Sequence, residues 1–159
     1  MDTMRLDQAS IAEIIPEWLD AINRLFADVA GWAQEQNWTV ASSTTEISEE
    51  SLGKYTAPVL TIDAQNGRLV LEPIARIVIG GKGRIDLYAW PTLYRVMLLR
   101  RSKDTVWVVR TDSGLAWPNP WGRETFISIA NGLLEANQAV LKIASEEAPP
   151  GSDSASTTS

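Results

Sequence analysis

The middle of the chain is a series of strand-like segments joined by turns too short to contain a helix. The segments are residues 59–63, 68–79, 84–90, 93–100 and 105–111. Asn66-Gly67 favours a tight hairpin turn, because both residue types tolerate positive φ angles. Pro73 interrupts the second segment and predicts a bulge, a bend or a sheet edge, because proline has no N–H to donate. Connections this short force neighbouring strands to run antiparallel.

Two amphipathic helices are predicted to flank these strands. In residues 10–36, apolar side chains recur at spacings of three and four, which indicates a helix with one buried face. Pro16 suits the first turn of a helix better than its interior, so the long helix is predicted to begin near Ile15. Gly31 is the weak point of that helix. The second helix is predicted to have Asn119 as its N-cap, Pro120 in its first position, and an end near Ser145.

Helices and strands are therefore segregated along the chain, which predicts an α+β fold. We expect one domain over residues 1–145, with an antiparallel meander of five or six strands between an N-terminal and a C-terminal helix. Residues 38–42 are predicted as a short first strand and residues 43–55 as a polar loop. Both helices are expected to cover one sheet face, on which Ile85, Leu87 and Ala89 would lie. Residues 146–159 are predicted to be a disordered, acidic tail rich in Ser, Thr and Pro.

Composition narrows the chemistry that this chain can perform. It has 159 residues and contains neither cysteine nor histidine. Thiol chemistry and the commonest general base are therefore excluded, and we predict no catalytic residue, no metal site and no cofactor. The first seven residues do not have the pattern of a signal peptide. No stretch approaches the roughly 20 apolar residues of a membrane span, so a cytoplasmic protein without a membrane partner is expected.

Charge is distributed unevenly along the chain. The net charge is -6, yet residues 1–53 carry two basic and ten acidic side chains, whereas residues 54–112 carry ten basic and five acidic ones. The acidic N-terminal part argues against a nucleic-acid binder. The basic middle leaves two interpretations open: a local site for an anionic ligand, or two solvated faces of different charge.

Residues 112–122 form a loop rich in tryptophan and proline. Trp117 and Trp121 flank Pro118-Asn119-Pro120, and Trp90 ends a predicted strand. Prolines stiffen a loop and so reduce the entropy lost on binding, and tryptophan is a frequent anchor residue in protein interfaces. We therefore predict that Trp90, Trp117 and Trp121 contact a partner, with Trp117 facing water and Trp121 buried. The alternative is that these side chains cover the end of the core.

A charged stripe is the second candidate site. Its members are Arg76, Arg84, Asp86, Arg95 and Arg110. Arginine binds carboxylates and phosphates with two parallel hydrogen bonds, so Arg84 and Arg95, together with Asp86 between them, are candidates for partner contacts. The alternative is that Asp86 pairs with these arginines in a structural cluster on a solvated sheet face.

The sequence Gly83-Arg84-Ile85-Asp86-Leu87 resembles the strand of RecB-like nucleases that supplies their first metal-binding aspartate. The resemblance covers five residues and implies a divalent cation at Asp86. In that family, a second strand supplies an acidic residue, any residue and then a lysine, whereas residues 93–100 contain no carboxylate. Magnesium needs one or two carboxylates in place, so the metal site of that family is not expected here.

Three classes of function remain open. We expect a non-enzymatic, acidic protein-binding module: an adaptor, a chaperone-like protein or an immunity-type inhibitor. The element order is similar to that of small acidic α+β chaperones of secretion systems. The first alternative is a carboxylate-based enzyme, metal-dependent or not, that acts on an anionic substrate near Asp86. The second is a small-ligand binder with a cavity between sheet and helices. A homodimer through the N-terminal helix is a further alternative.

Overall fold

The structure, a computed structural model, describes residues 8–92, 94–111 and 113–146. The elements are α1 (Gln8–Glu35), β1 (Thr39–Glu49), β2 (Gly53–Ala64), β3 (Gly67–Ala75), β4 (Gly81–Trp90), β5 (Arg95–Arg101), β6 (Trp107–Thr111) and α2 (Arg123–Glu146). The strands form one antiparallel sheet in the order β1 to β6. The predicted α+β architecture is confirmed. Neither of the two helices described here is long and apolar enough to cross a membrane.

Both helices pack on the same face of the sheet. Helix α1 contacts β1 and β2, and α2 contacts β3 and β4. Beneath them the register aligns Leu71 with Leu87 and Leu87 with Val96, and all three side chains are buried. Ile85, Leu87 and Ala89 are fully buried, as the alternation along this strand predicts. We call the opposite side of the sheet the outer face; it carries Glu72, Arg84, Asp86, Tyr88 and Arg95.

Two turn and bulge predictions within the meander are confirmed. Ala64 pairs with Gly67, so β2 and β3 are joined by the tight turn at Gln65-Asn66. The register of β3 against β4 shifts between Pro73 and Ala75. The missing N–H of Pro73 therefore marks a bulge inside the sheet, as expected for a proline within a strand.

The first hairpin is longer than predicted. β1 pairs with β2 over its whole length, from Thr39 opposite Asp63 to Glu49 opposite Gly53. The prediction of a short strand followed by a polar loop over residues 43–55 is therefore wrong. β1 lies at the edge of the sheet and is exposed along most of its length, so it needs no apolar alternation. In its Ser- and Thr-rich sequence, only the β-branched residues Thr, Val and Ile favour a strand, and that preference is weak.

Both helix starts differ from the predictions. Helix α1 is continuous from Gln8 and contains Pro16. The half-buried side chains of Ile15 and Leu19, on either side of this proline, pack against the core, so the helix must continue through it. Helix α2 begins at Arg123, three residues after Pro120. Prolines disfavour helical geometry in the residue before them, so the Pro-Asn-Pro segment stays outside the helix. The tail predicted from residue 146 lies, except for the helical residue 146 itself, outside the described residues.

Trp18 connects α1 to strands β4 and β5. Its side chain is fully buried and lies against the backbone of Gly83, so close that a Cβ added there would be 2.2 Å from the ring. The guanidinium of Arg100 lies 5.4 Å from the centre of the Trp18 ring. Arg100 also donates two hydrogen bonds to the carboxylate of Glu17, at 2.7 and 2.8 Å. These contacts fix the position of α1 relative to β4 and β5.

The Glu17–Arg100 pair makes stability depend on pH. Hydrogen bonding to Arg100 lowers the pKa of Glu17 below its ordinary value of 4.5. The pair therefore stabilises the fold above that value, and the contribution is lost as pH falls through the lower folded pKa. Glu17 is 54% exposed but Arg100 is only 2% exposed, so Glu17→Gln leaves a buried cation without its counter-charge and is expected to cost about 1 to 2 kcal/mol at neutral pH. Urea unfolding of both proteins should show this difference shrinking as pH falls further below 4.5; a difference independent of pH would contradict the assignment.

Candidate functional site

A groove runs along the free edge of the sheet at β6. One side consists of residues 106–109, the other of residues 116–121, and the volume between them is about 260 Å³. Arg101 lies at one end. We call this feature the edge groove. It combines the open edge of a strand with the aromatic, proline-rich loop that the sequence singles out.

The loop is attached to β6 only at the C-terminal half of that strand. Thr111 N–H donates to the carbonyl of Leu115, and Trp117 N–H donates to the carbonyl of Val109, both at 2.9 Å. Residues 115–117 thus add to the sheet edge like a short antiparallel strand. Pro118 and Pro120 restrict the backbone on either side of Asn119, and Asn119, the next residue that could face β6, forms no backbone hydrogen bond with it. The loop therefore diverges from β6, and the edge groove opens where the pairing stops.

Three tryptophans line the edge groove. They are Trp107 of β6 and Trp117 and Trp121 of the loop, and all three are half-buried and pack against the core. The ring of Trp107 lies 6.1 Å from that of Trp18, and the ring of Trp121 lies 5.8 Å from that of Trp32. These aromatic contacts hold the groove walls in place. Trp121, which was predicted to be buried, is half-buried like Trp117.

Trp90 does not belong to this site. It is 52% exposed and ends β4 opposite Arg68, which places it on the outer face. Strand β5 lies between β4 and the edge strand β6. The structure therefore brings Trp117 and Trp121 together with Trp107 and leaves Trp90 elsewhere.

The charged residues converge on the outer face, around Asp86. One oxygen of Asp86 accepts from Arg84 Nε at 2.8 Å, and the other accepts from Arg84 Nη2 at 3.0 Å and from Arg95 Nη1 at 2.8 Å. Asp86 is fully buried, whereas the two arginine side chains are about one-third exposed. Asp86 was expected on a solvated face. It is buried because β4 lies inside the sheet and both arginines fold over it.

Tyr88 and Glu72 extend this outer-face cluster. Tyr88 donates a 2.8 Å hydrogen bond to Glu72, and the guanidinium of Arg95 lies 5.3 Å from the Tyr88 ring centre. Burial and the bond to Glu72 raise the pKa of Tyr88 to about 12. Arg110 does not join the cluster, because it donates to the carbonyl of Gly114 at the sheet edge. The cluster has the internally satisfied geometry of a structural ion-pair network.

Arg76 lies in a different environment, at the end of β1. The Glu49 carboxylate accepts the backbone N–H groups of Arg76 and Ile77, both at 2.9 Å, and the hydroxyl of Tyr55. Burial, together with the nearby charge of Arg100, lowers the pKa of Arg76. The predicted stripe is thus divided: Arg84, Asp86 and Arg95 meet, and Arg76 and Arg110 lie apart.

No cluster suited to a metal ion is found in the part of the chain that the structure describes. Within residues 8–92, 94–111 and 113–146, no three carboxylates are grouped so that they could share a cation. Comparisons with protein-family models, with curated proteins and with solved structures found no match. A function for this chain must therefore be inferred from its own residues.

Proposed function

We propose that this chain is a non-enzymatic, acidic protein-binding module that contacts its partner through the edge groove. An adaptor, a chaperone-like protein and an immunity-type inhibitor all belong to this class. The observation that carries the proposal is the convergence of Trp107, Trp117 and Trp121 on one groove at an open sheet edge. Aromatic side chains already held by packing lose little entropy on binding, and tryptophan is enriched among the residues that dominate interface energies. A cytoplasmic location is part of the proposal.

The two alternative functions have less support. An enzyme that used Asp86 would need a carboxylate oxygen available to substrate, and both oxygens accept hydrogen bonds from arginines. A small-ligand site commonly has a volume of roughly 300–1,000 Å³. A cleft of about 550 Å³ is lined only by residues between 119 and 128, so it does not lie between the sheet and the helices, and the edge groove has only about 260 Å³. A groove of that size suits a large side chain better than a whole small molecule. A homodimer through α1 also has less support, because Trp18, Ile22 and Val29 are buried within the chain.

Trp117→Ala is expected to weaken binding to the partner about 30-fold, as removal of an interface anchor costs roughly 2 kcal/mol. The partner is first captured from cells of the native host with the wild-type protein. Its affinity for the purified variants is then measured by calorimetry, after thermal melts have shown that each variant is folded.

Trp90→Ala is the matched control for this experiment. It removes the same side-chain type from the outer face, where Trp90 is 52% exposed. We expect its affinity to stay within about twofold of wild type. A partner that loses affinity with Trp90→Ala but not with Trp117→Ala would place the contact on the outer face and contradict the proposal.

A further inference from the structure

The hydrogen-bonding direction of β6 can be read from its neighbours. Arg101 N–H donates to the carbonyl of Val106, across the turn between β5 and β6. The Val109 carbonyl and the Thr111 N–H instead bond to the loop, on the other side of the strand. Backbone groups alternate in direction along a strand. The N–H and C=O of Trp107, two residues before Val109, therefore also point away from β5 and into the edge groove.

The two backbone groups of Trp107 have no partner among the residues that the structure describes. The loop satisfies the Val109 carbonyl and the Thr111 N–H, and then diverges at Pro118. Trp107 thus lies on the part of the β6 edge that residues 115–117 leave open. An unpaired N–H and C=O on a sheet edge form a template for one more strand.

We propose that the edge groove binds an extended segment of a partner protein. The segment adds to β6 as an antiparallel strand opposite Trp107, on the part of the edge that residues 115–117 leave open. This inference rests on the proposed function and names the chemistry of its ligand. One residue of the segment lies opposite Trp107 and exchanges two backbone hydrogen bonds with it. The protein's own loop already shows that this edge accepts an antiparallel strand, because residues 115–117 pair with it in that way.

The side chains of the bound segment follow from the two faces of the sheet. Side chains directly opposite one another on paired strands share a face, so the residue opposite Trp107 points toward the helix side. There it meets Trp107, Trp117 and Trp121, which favour an aromatic or large aliphatic side chain. This residue is the anchor of the segment.

Its neighbours in the segment point toward the outer face, where charge favours carboxylates. Residues 95–111 carry five basic side chains and one acidic side chain, Asp104. Arg95 and Arg100 are paired with Asp86 and Glu17. Arg101, Lys103 and Arg110 are exposed, and Asp104 is the acidic residue paired with Arg101. The ligand is therefore an acidic segment around one bulky apolar anchor.

The test uses a display library of random peptides of about 12 residues, long enough to contain a strand of ordinary length. The full chain is the bait, and the strongest peptide is synthesised with each backbone nitrogen methylated in turn. We expect the selected peptides to share one aromatic or aliphatic residue flanked by Asp or Glu. N-methylation of the anchor should weaken binding at least about tenfold, because it removes the hydrogen bond to the Trp107 carbonyl. N-methylation of its two neighbours should change affinity less than about threefold, because their N–H groups point away from β6.

The outcomes separate this inference from the proposed function. Peptides without a common anchor, or N-methyl effects that do not alternate, would overturn the strand-addition inference. The inference would also be overturned if no selected peptide bound the Trp117→Ala variant more weakly than the wild-type protein. In either case, a folded partner whose affinity falls with Trp117→Ala would leave the proposed function intact. Loss of both results would remove both proposals.

Discussion

Gly83→Ala is expected to destabilise the protein by about 2 to 6 kcal/mol. The φ angle of Gly83 is +133°, which costs a residue with a side chain roughly 1–3 kcal/mol. The added methyl group would also lie 2.2 Å from the buried ring of Trp18, and overpacking of this kind costs about 1–3 kcal/mol more. For a chain of this length, the loss corresponds to a fall in melting temperature of roughly 10 °C. Urea unfolding followed by tryptophan fluorescence measures it directly.

Gly31→Ala is the control for that substitution. Gly31 is exposed about one turn before the C-terminal end of α1, and no neighbouring atom lies within 4 Å of an added Cβ. The same change should therefore stabilise the protein by up to about 1 kcal/mol, through helix propensity alone. Equal effects of the two substitutions would show that Trp18 does not pack against the backbone of Gly83.

Asp86→Asn is expected to cost about 2 to 3 kcal/mol. The change keeps the volume of the side chain but removes the charge that balances Arg84 and Arg95. Breaking a buried ion pair typically costs about 3–5 kcal/mol. We expect a smaller cost for Asp86→Asn than this typical range, because both arginines are about one-third exposed and can be hydrated in part. Thermal and urea unfolding of the variant give the free-energy difference.

Asp63→Asn separates burial from pairing. Asp63 pairs with Arg68 at 2.8 Å, the same distance that joins Asp86 to its arginines, but both side chains are about half-exposed. Exposed pairs contribute about 1 kcal/mol or less, so this control should change stability little. If Asp86→Asn costs no more than Asp63→Asn, burial does not strengthen the outer-face cluster.

The sequence predicts best those elements whose two faces differ in environment. The alternation of Ile85, Leu87 and Ala89 with polar neighbours can be detected in the sequence, because one face of β4 is covered by helices and the other is polar. The turn at Gln65-Asn66 is predictable because the adjoining Asn66-Gly67 pair is typical of tight hairpins. The C-terminal part of β1 is missed because an edge strand exposed on most of its length has no apolar period to detect. The start of α2 is misplaced because Pro120 suits both a first helical turn and the extended segment that it occupies here.

The candidate site is predicted only in part, for reasons of topology. The loop composition singles out Trp117 and Trp121, and the structure places both in the edge groove. Trp107 is missed, because its neighbours in space depend on β6 being the last strand of the sheet and on where the loop pairs with it. The burial of Asp86 is also missed, because it depends on the registers that align Glu72, Asp86 and Met97 across three strands.

The position of α2 has a consequence for synthesis of this protein on the ribosome. Each strand pairs with its neighbour in sequence, so the sheet can form as the chain emerges, at little cost in loop closure. The helix that covers β3 and β4 is made after all six strands. Until then, nascent chains present Leu71 and Leu87 to water, as aggregation-prone intermediates do. Chains that end before Arg123 should therefore require chaperones to remain in solution.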